Sequence, residues 1–171
     1  MAIHDSTPVR EMVLSVLVEN RAGVLSHVVG LFSARGFNID SLAVGETQDP
    51  TASRITLVTR GDARTLEQIK KQLNRLIDVI KIQDLSQDEY VDRELMLVKV
   101  RATPEARAAL EPLMAKYRVH VADENDSVMT LECTESRENR KKLFEGLKAV
   151  GIIEMAQTGA VALGKKSPKS E

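Results

Sequence analysis

Residues 19–25 read Glu-Asn-Arg-Ala-Gly-Val-Leu, and an amide side chain at Asn20, a glycine at Gly23 and an apolar-periodic stretch from Val24 together suit the holding of a small carboxylate. The first amides of a helix lack intrahelical acceptors, and with the helix dipole they favour an anion. Gly23 lacks a Cβ, so the chain can turn sharply there and a ligand can come close to the backbone. Asn20 offers a carbonyl and an amide, a match for the ammonium and carboxylate of an amino acid, and the same side chain is also a good helix cap. On these residues alone, a plain strand-to-helix turn and a ligand loop are both open. Asn38 is open in the same way, because it follows Gly36, where a turn-compatible amide is common.

Other chemistry has weaker support. His4, His27 and His120 have no second histidine or cysteine at ligand spacing, which argues against zinc, and His27 reads as a surface or interface residue. The acidic stretch Asp123, Glu124 and Asp126 fits a hard cation or, equally, a tight turn. No GxSxG elbow and no glycine-rich phosphate loop is present, so nucleophilic catalysis is not expected. The lone Cys133 offers neither an intrachain disulfide nor a CxxC site and reads as a small core residue. A net charge of −1 provides no long-range field for polyanions. The strands lack the aromatic residues with which similar sheets stack RNA bases, and Lys70, Lys71, Arg75, Arg137, Arg140, Lys141 and Lys142 read as solvated helix faces. Neither nucleic acid nor membrane is therefore expected as a partner. The opening residues lack a charged segment followed by an apolar run, and nowhere do about 20 apolar residues occur together, so a soluble cytoplasmic protein is expected.

The elements that must position the first loop follow from periodicity. Aromatic residues make up only 3% of the chain and tryptophan is absent, so any core must be built from Val, Leu, Ile and Met. Residues 12–18 form a β-branched apolar run fit for a central strand. Val24, Leu25, Val28, Val29, Leu31 and Phe32 lie on one broad helical face that Gly36 terminates. Residues 37–45 and 54–59 read as a hairpin about the turn 48–51, followed by a helix carrying Leu66, Ile69, Leu73 and Leu76, then a strand over 79–85. Residues 86–93 are polar and aperiodic, the best linker. The order then recurs: strand 94–102, helix 104–116, hairpin 118–133, helix 136–150 and one final strand 152–163. Pro112 falls inside the third helix, where a kink or an early stop is expected at a cost of roughly 3 kcal/mol. Strand-helix-strand-strand-helix-strand, twice, is an α+β arrangement of two ferredoxin-like βαββαβ domains in tandem. We place them at 11–86 and 93–163, with a disordered tail at 164–171. Bare sheet faces and edges on such small domains predict oligomerisation.

The run Leu14-Ser-Val-Leu-Val-Glu-Asn-Arg-Ala-Gly-Val-Leu-Ser-His-Val-Val-Gly-Leu-Phe-Ser-Ala-Arg-Gly-Phe-Asn-Ile-Asp-Ser-Leu closely resembles the small regulatory subunits of acetolactate synthase, also called acetohydroxyacid synthase. The likeness continues through Thr47-Gln-Asp-Pro-Thr-Ala-Ser-Arg-Ile-Thr, Gly61-Asp62 and Arg93-Glu-Leu-Met-Leu-Val-Lys-Val, and covers essentially residues 12–163. It implies an ACT domain, a ferredoxin-like amino-acid-binding module, in the first half and a domain of similar topology in the second. It also implies a non-catalytic subunit that activates the catalytic subunit and confers feedback inhibition by a branched-chain amino acid, most often valine. The family pairs its ACT domains as a homodimer, with the effector held by the loop after the first strand of one chain and by the start of the second strand of its partner. Carried over by matching motif, the loop is Asn20, Arg21, Ala22, Gly23, Val24 and Leu25, and the partner's share is Asn38 and Ile39. Ala22 departs from the proline common before this glycine in other ACT domains. Thiamine diphosphate, magnesium and FAD belong to the catalytic partner in that family, and this chain shows no sequence for binding them. The alternative is a free-standing ACT-type sensor that controls another enzyme or a transcription regulator.

Overall fold

The computed structural model describes residues 8–165; residues 1–7 and 166–171 lie outside them. The first half runs β1 (Arg10–Glu19), α1 (Val24–Arg35), β2 (Ser41–Glu46), β3 (Ala52–Gly61), α2 (Ala63–Leu73) and β4 (Val79–Asp84). The second runs β5 (Tyr90–Arg101), α3 (Pro104–Lys116), β6 (Val119–Glu124), β7 (Val128–Glu135), α4 (Arg137–Val150) and β8 (Ile152–Gln157), with a short β9 (Val161–Gly164) that pairs β5. The antiparallel sheets are ordered β2-β3-β1-β4 and β6-β7-β5-β8, the same permutation twice. These are two ferredoxin-like units in tandem. No helix among the described residues is long and apolar enough to cross a membrane.

In the first unit, alternation along β1 sends Met12, Leu14, Val16 and Val18 to one face, and the register sets Leu14 opposite Leu57 and Val16 opposite Ile55. Val24, Val28 and Phe32 of α1 and Leu66, Ile69 and Leu73 of α2 close over that face. Phe32, 1% exposed, meets Phe37 edge to face at 6.1 Å, and burying such a ring contributes roughly 1.5–3 kcal/mol. Val13 and Val58 lie on the opposite face, where Leu85, Ala162 and partly buried Tyr90 cover them. The chain itself thus shields part of the face expected to be bare. In the second unit, Met96, Val98, Val100, Met129, Leu131 and Cys133 pack under Ala106, Leu110, Leu143 and Leu147.

Several expectations are corrected. The final strand is not one run over 152–163: it breaks after Gln157, and the compact units divide as Val91–Val161 against the chain up to Tyr90 together with the residues from Ala162 onward. The linker is shorter than 86–93, because residues 85–87 form a 3-10 turn and β5 begins at Tyr90. Gly164 is in β9 and the Lys165 amide donates to the Glu89 carbonyl at 2.9 Å, so the expected tail is ordered at its start; the rest of it lies outside the described residues. α3 continues through Pro112 as one helix. Pro112 and Ala108 are both exposed, so the missing donor falls on the helix face away from the core. Arg137 and Arg140 are not a solvated face: both turn inward to the buried carboxylate of Glu94.

Candidate functional site

β1 ends at Glu19, and the chain reverses through Asn20 to Gly23 before α1 begins. Gly23 adopts φ 90°, in the left-handed region, and is itself the residue preceding the helix. A Cβ at Gly23 would meet nothing within 4 Å, so the space over it is open. α2, α3 and α4 are each capped by a side chain, Asp62, Thr103 and Ser136 respectively. Among the described helices α1 alone starts without such a cap; the Val24 amide reaches the Arg21 carbonyl at 3.5 Å, and those of Leu25 and Ser26 are left for an outside acceptor.

Asn20 is therefore not the cap. Its backbone amide donates to the Thr51 carbonyl at 2.7 Å and its side-chain amide to the Pro50 carbonyl at 2.9 Å, while its side-chain oxygen accepts from the Ser53 hydroxyl at 3.0 Å. The loop is tied by these bonds to the turn between β2 and β3. On its other side it is tied to Asp78, which sits just before β4. The Asp78 carbonyl accepts the Glu19 amide at 2.9 Å, Oδ1 pairs with Arg21, and Oδ2 lies 2.8 Å from Nδ1 of His27. The Arg21 and His27 hydrogen bonds hold the Asp78 carboxyl below its ordinary range. Arg21 also pairs with Glu19 at 3.0 Å, so its guanidinium is committed to two carboxylates of its own chain.

The remaining residues of the expected site fall elsewhere. Ala22 is exposed in the turn, Val24 is buried in the core and Leu25 is exposed on α1. Asn38 is exposed beyond the other end of the helix; its amide donates to Asp40 Oδ1 at 2.6 Å and its carbonyl accepts the Thr59 hydroxyl at 2.6 Å. Ile39 packs against the first core. The twelve residues of α1 separate the two groups by about 18 Å at 1.5 Å per residue. One chain does not bring them together.

Asp78, Ser53 and the carbonyls of Pro50 and Thr51 were not among the expected site residues, and His27, exposed as expected, is held to Asp78. One signal for Asp78 was available: a single acid among Leu76, Ile77, Val79 and Ile80. The acidic hairpin of the second unit is a turn held by Asn125, whose side-chain oxygen accepts the amides of Ser127 and Val128, and Glu124 pairs with Arg107. No group of three or more His, Cys, Asp or Glu among the described residues is placed to hold a metal. A polar groove of about 510 Å³ in the second unit is lined by residues that include Arg93, Lys116, Arg118 and Asn139.

Comparison with known proteins gives a consistent result. Residues 14–81 match the family described as the AHAS small subunit-like ACT domain, and residues 93–166 match the small subunit of acetolactate synthase. The probable acetolactate synthase small subunit of Methanothermobacter thermautotrophicus is 44% identical over 156 residues, 91% of this chain and 93% of that one. The acetolactate synthase isozyme 3 small subunit of Escherichia coli is 41% identical over 154 residues, 90% of this chain and 94% of that one. The crystal structure of the acetolactate synthase small subunit from Thermotoga maritima superposes with a TM-score of 0.79 at 34% identity, covering 93% of this chain and 99% of that one. With likeness of this extent in both halves, the chain belongs to the acetolactate synthase small-subunit family, and its first unit is an ACT domain.

Proposed function

We propose that this chain is the non-catalytic regulatory subunit of a cytoplasmic acetolactate synthase. In this reading it activates the catalytic subunit, and it transmits feedback inhibition when a branched-chain amino acid, valine foremost, occupies the loop between β1 and α1. The effector module is the segment 11–86, with 93–163 as the second module. The observation that carries the reading is the start of α1 at Gly23, which has no side-chain cap and open space over the glycine.

The site is completed by a second copy. Asn38 and Ile39 lie a helix length from the loop of their own chain, so only another chain can bring them beside it. Two features support such pairing: β2 is an edge strand of its sheet, and Leu25, Val29 and Val44 are exposed. A site shared between chains links occupancy to interface geometry. The effector controls activity only to the extent that it binds one arrangement more tightly than another.

Reconstitution with an acetolactate-forming catalytic subunit tests the proposal. Activation of that subunit together with acquired valine sensitivity is the expected result. Neither effect, with an active catalytic subunit in the assay, overturns the proposal and leaves a free-standing sensor.

A further inference from the structure

We propose that Asp78 is the positioning residue of the effector loop, holding it at three points so that the open amides of α1 keep their aim. The inference rests on the reading above that this loop takes the effector. Asp78 is only 3% exposed, whereas the side chains of Arg21 and His27 are 57% and 61% exposed. Two solvent-facing side chains are thus fastened to one buried acid. The three contacts fall at the strand exit, in the middle of the turn and in the first turn of the helix: Glu19 through its amide at 2.9 Å, Arg21 through its guanidinium, and His27 through Nδ1 at 2.8 Å. With the bonds of Asn20 to the hairpin, the segment is held at Glu19, Asn20, Arg21 and His27.

This arrangement also changes the part played by Arg21. Its guanidinium is engaged by Asp78 and Glu19, so the effector carboxylate is left to the backbone amides beside Gly23, and Arg21 acts by holding the loop. Recognition by fixed dipoles depends on their orientation more than on a mobile charge does. Loosening the clasp therefore weakens effector binding without removing any group that touches the effector.

The test is calorimetric titration of the full chain with valine, with circular dichroism to establish that each variant is folded. Asp78→Asn keeps the shape and removes the charge; the expected result is valine affinity reduced roughly tenfold. Asp78→Glu restores part of the loss. Arg21→Gln combined with Asp78→Asn loses less than the sum of the two single losses, because the Arg21–Asp78 pair is cut in both. A folded Asp78→Asn with unchanged affinity overturns the positioning role alone, whereas a wild-type chain that binds no branched-chain amino acid overturns the proposed function as well. If Asp78→Asn does not fold, His27→Gln takes its place, and unchanged affinity in that variant overturns the positioning role.

Discussion

The Ser53 hydroxyl donates to the side-chain oxygen of Asn20 at 3.0 Å, joining segments 33 residues apart in the chain. Ser53 is 8% exposed, so its loss is felt in a nearly dry setting. Ser53→Ala is expected to cost about 1 kcal/mol in urea denaturation and to speed amide exchange at residues 20–23. Unchanged exchange there would mean that the bond does not hold the loop.

Gly23→Ala and Gly23→Asp separate backbone strain from charge. Both place a Cβ at φ 90°, and each is expected to lose about 1 kcal/mol of stability by thermal denaturation. Only the aspartate adds a negative charge where the effector carboxylate is proposed to lie. Valine binding should be abolished in Gly23→Asp and only weakened in Gly23→Ala; equal affinities by calorimetry contradict this.

Acid should release the loop through Asp78. Its carboxyl is held below the ordinary value of 3.8 when folded, so the unfolded chain takes up that proton first as pH falls. The contribution is complete above the ordinary carboxylate range and is lost as pH falls through the depressed folded value. Melting temperatures measured from neutral pH downward should therefore drop more steeply for wild type than for Asp78→Asn. Parallel curves would show that another group dominates.

Glu94 is 5% exposed and pairs with Arg137 and Arg140, whose side chains are also largely buried. Glu94→Gln takes from the two arginines the buried carboxylate that they share, and the expected loss is about 3 kcal/mol in denaturant titration. A loss under about 1 kcal/mol would show that the arginines swing out to water.

Burial, reinforced by Glu132 and Glu135, pushes the Cys133 thiol up to about 11. At neutral pH little thiolate is present and no reagent reaches it. Cys133 should resist a maleimide in the folded chain and react promptly in denaturant. Rapid labelling of the native protein would place the thiol outside the core.

The strand and helix order was legible in the sequence because the period changes between elements, from the nearly continuous apolar run of Met12 to Val18 to the helical spacing of Leu66, Ile69 and Leu73. The glycine turn at Gly23 was legible for a similar reason, since it sits where one period changes to another. The buried polar partners were not. Asp78 lies 57 residues from Arg21, and Arg137 is 43 beyond Glu94, distances across which no local pattern shows that a charge faces inward. The divided last strand was hidden too: apolar residues recur on both sides of Gln157-Thr158-Gly159, and the return of Ala162 to the cluster around Val13 could not be read from them.

That return sets an order of assembly. Ala162 is made 149 residues after Val13, yet both belong to one buried cluster. At about 5–20 residues per second, the outer face of the first sheet waits on the order of ten seconds for the last of its cover. During that interval Val13 and Val58 have only Leu85 and Tyr90 over them, which makes the nascent ACT domain a candidate client for chaperones until Ala162 arrives.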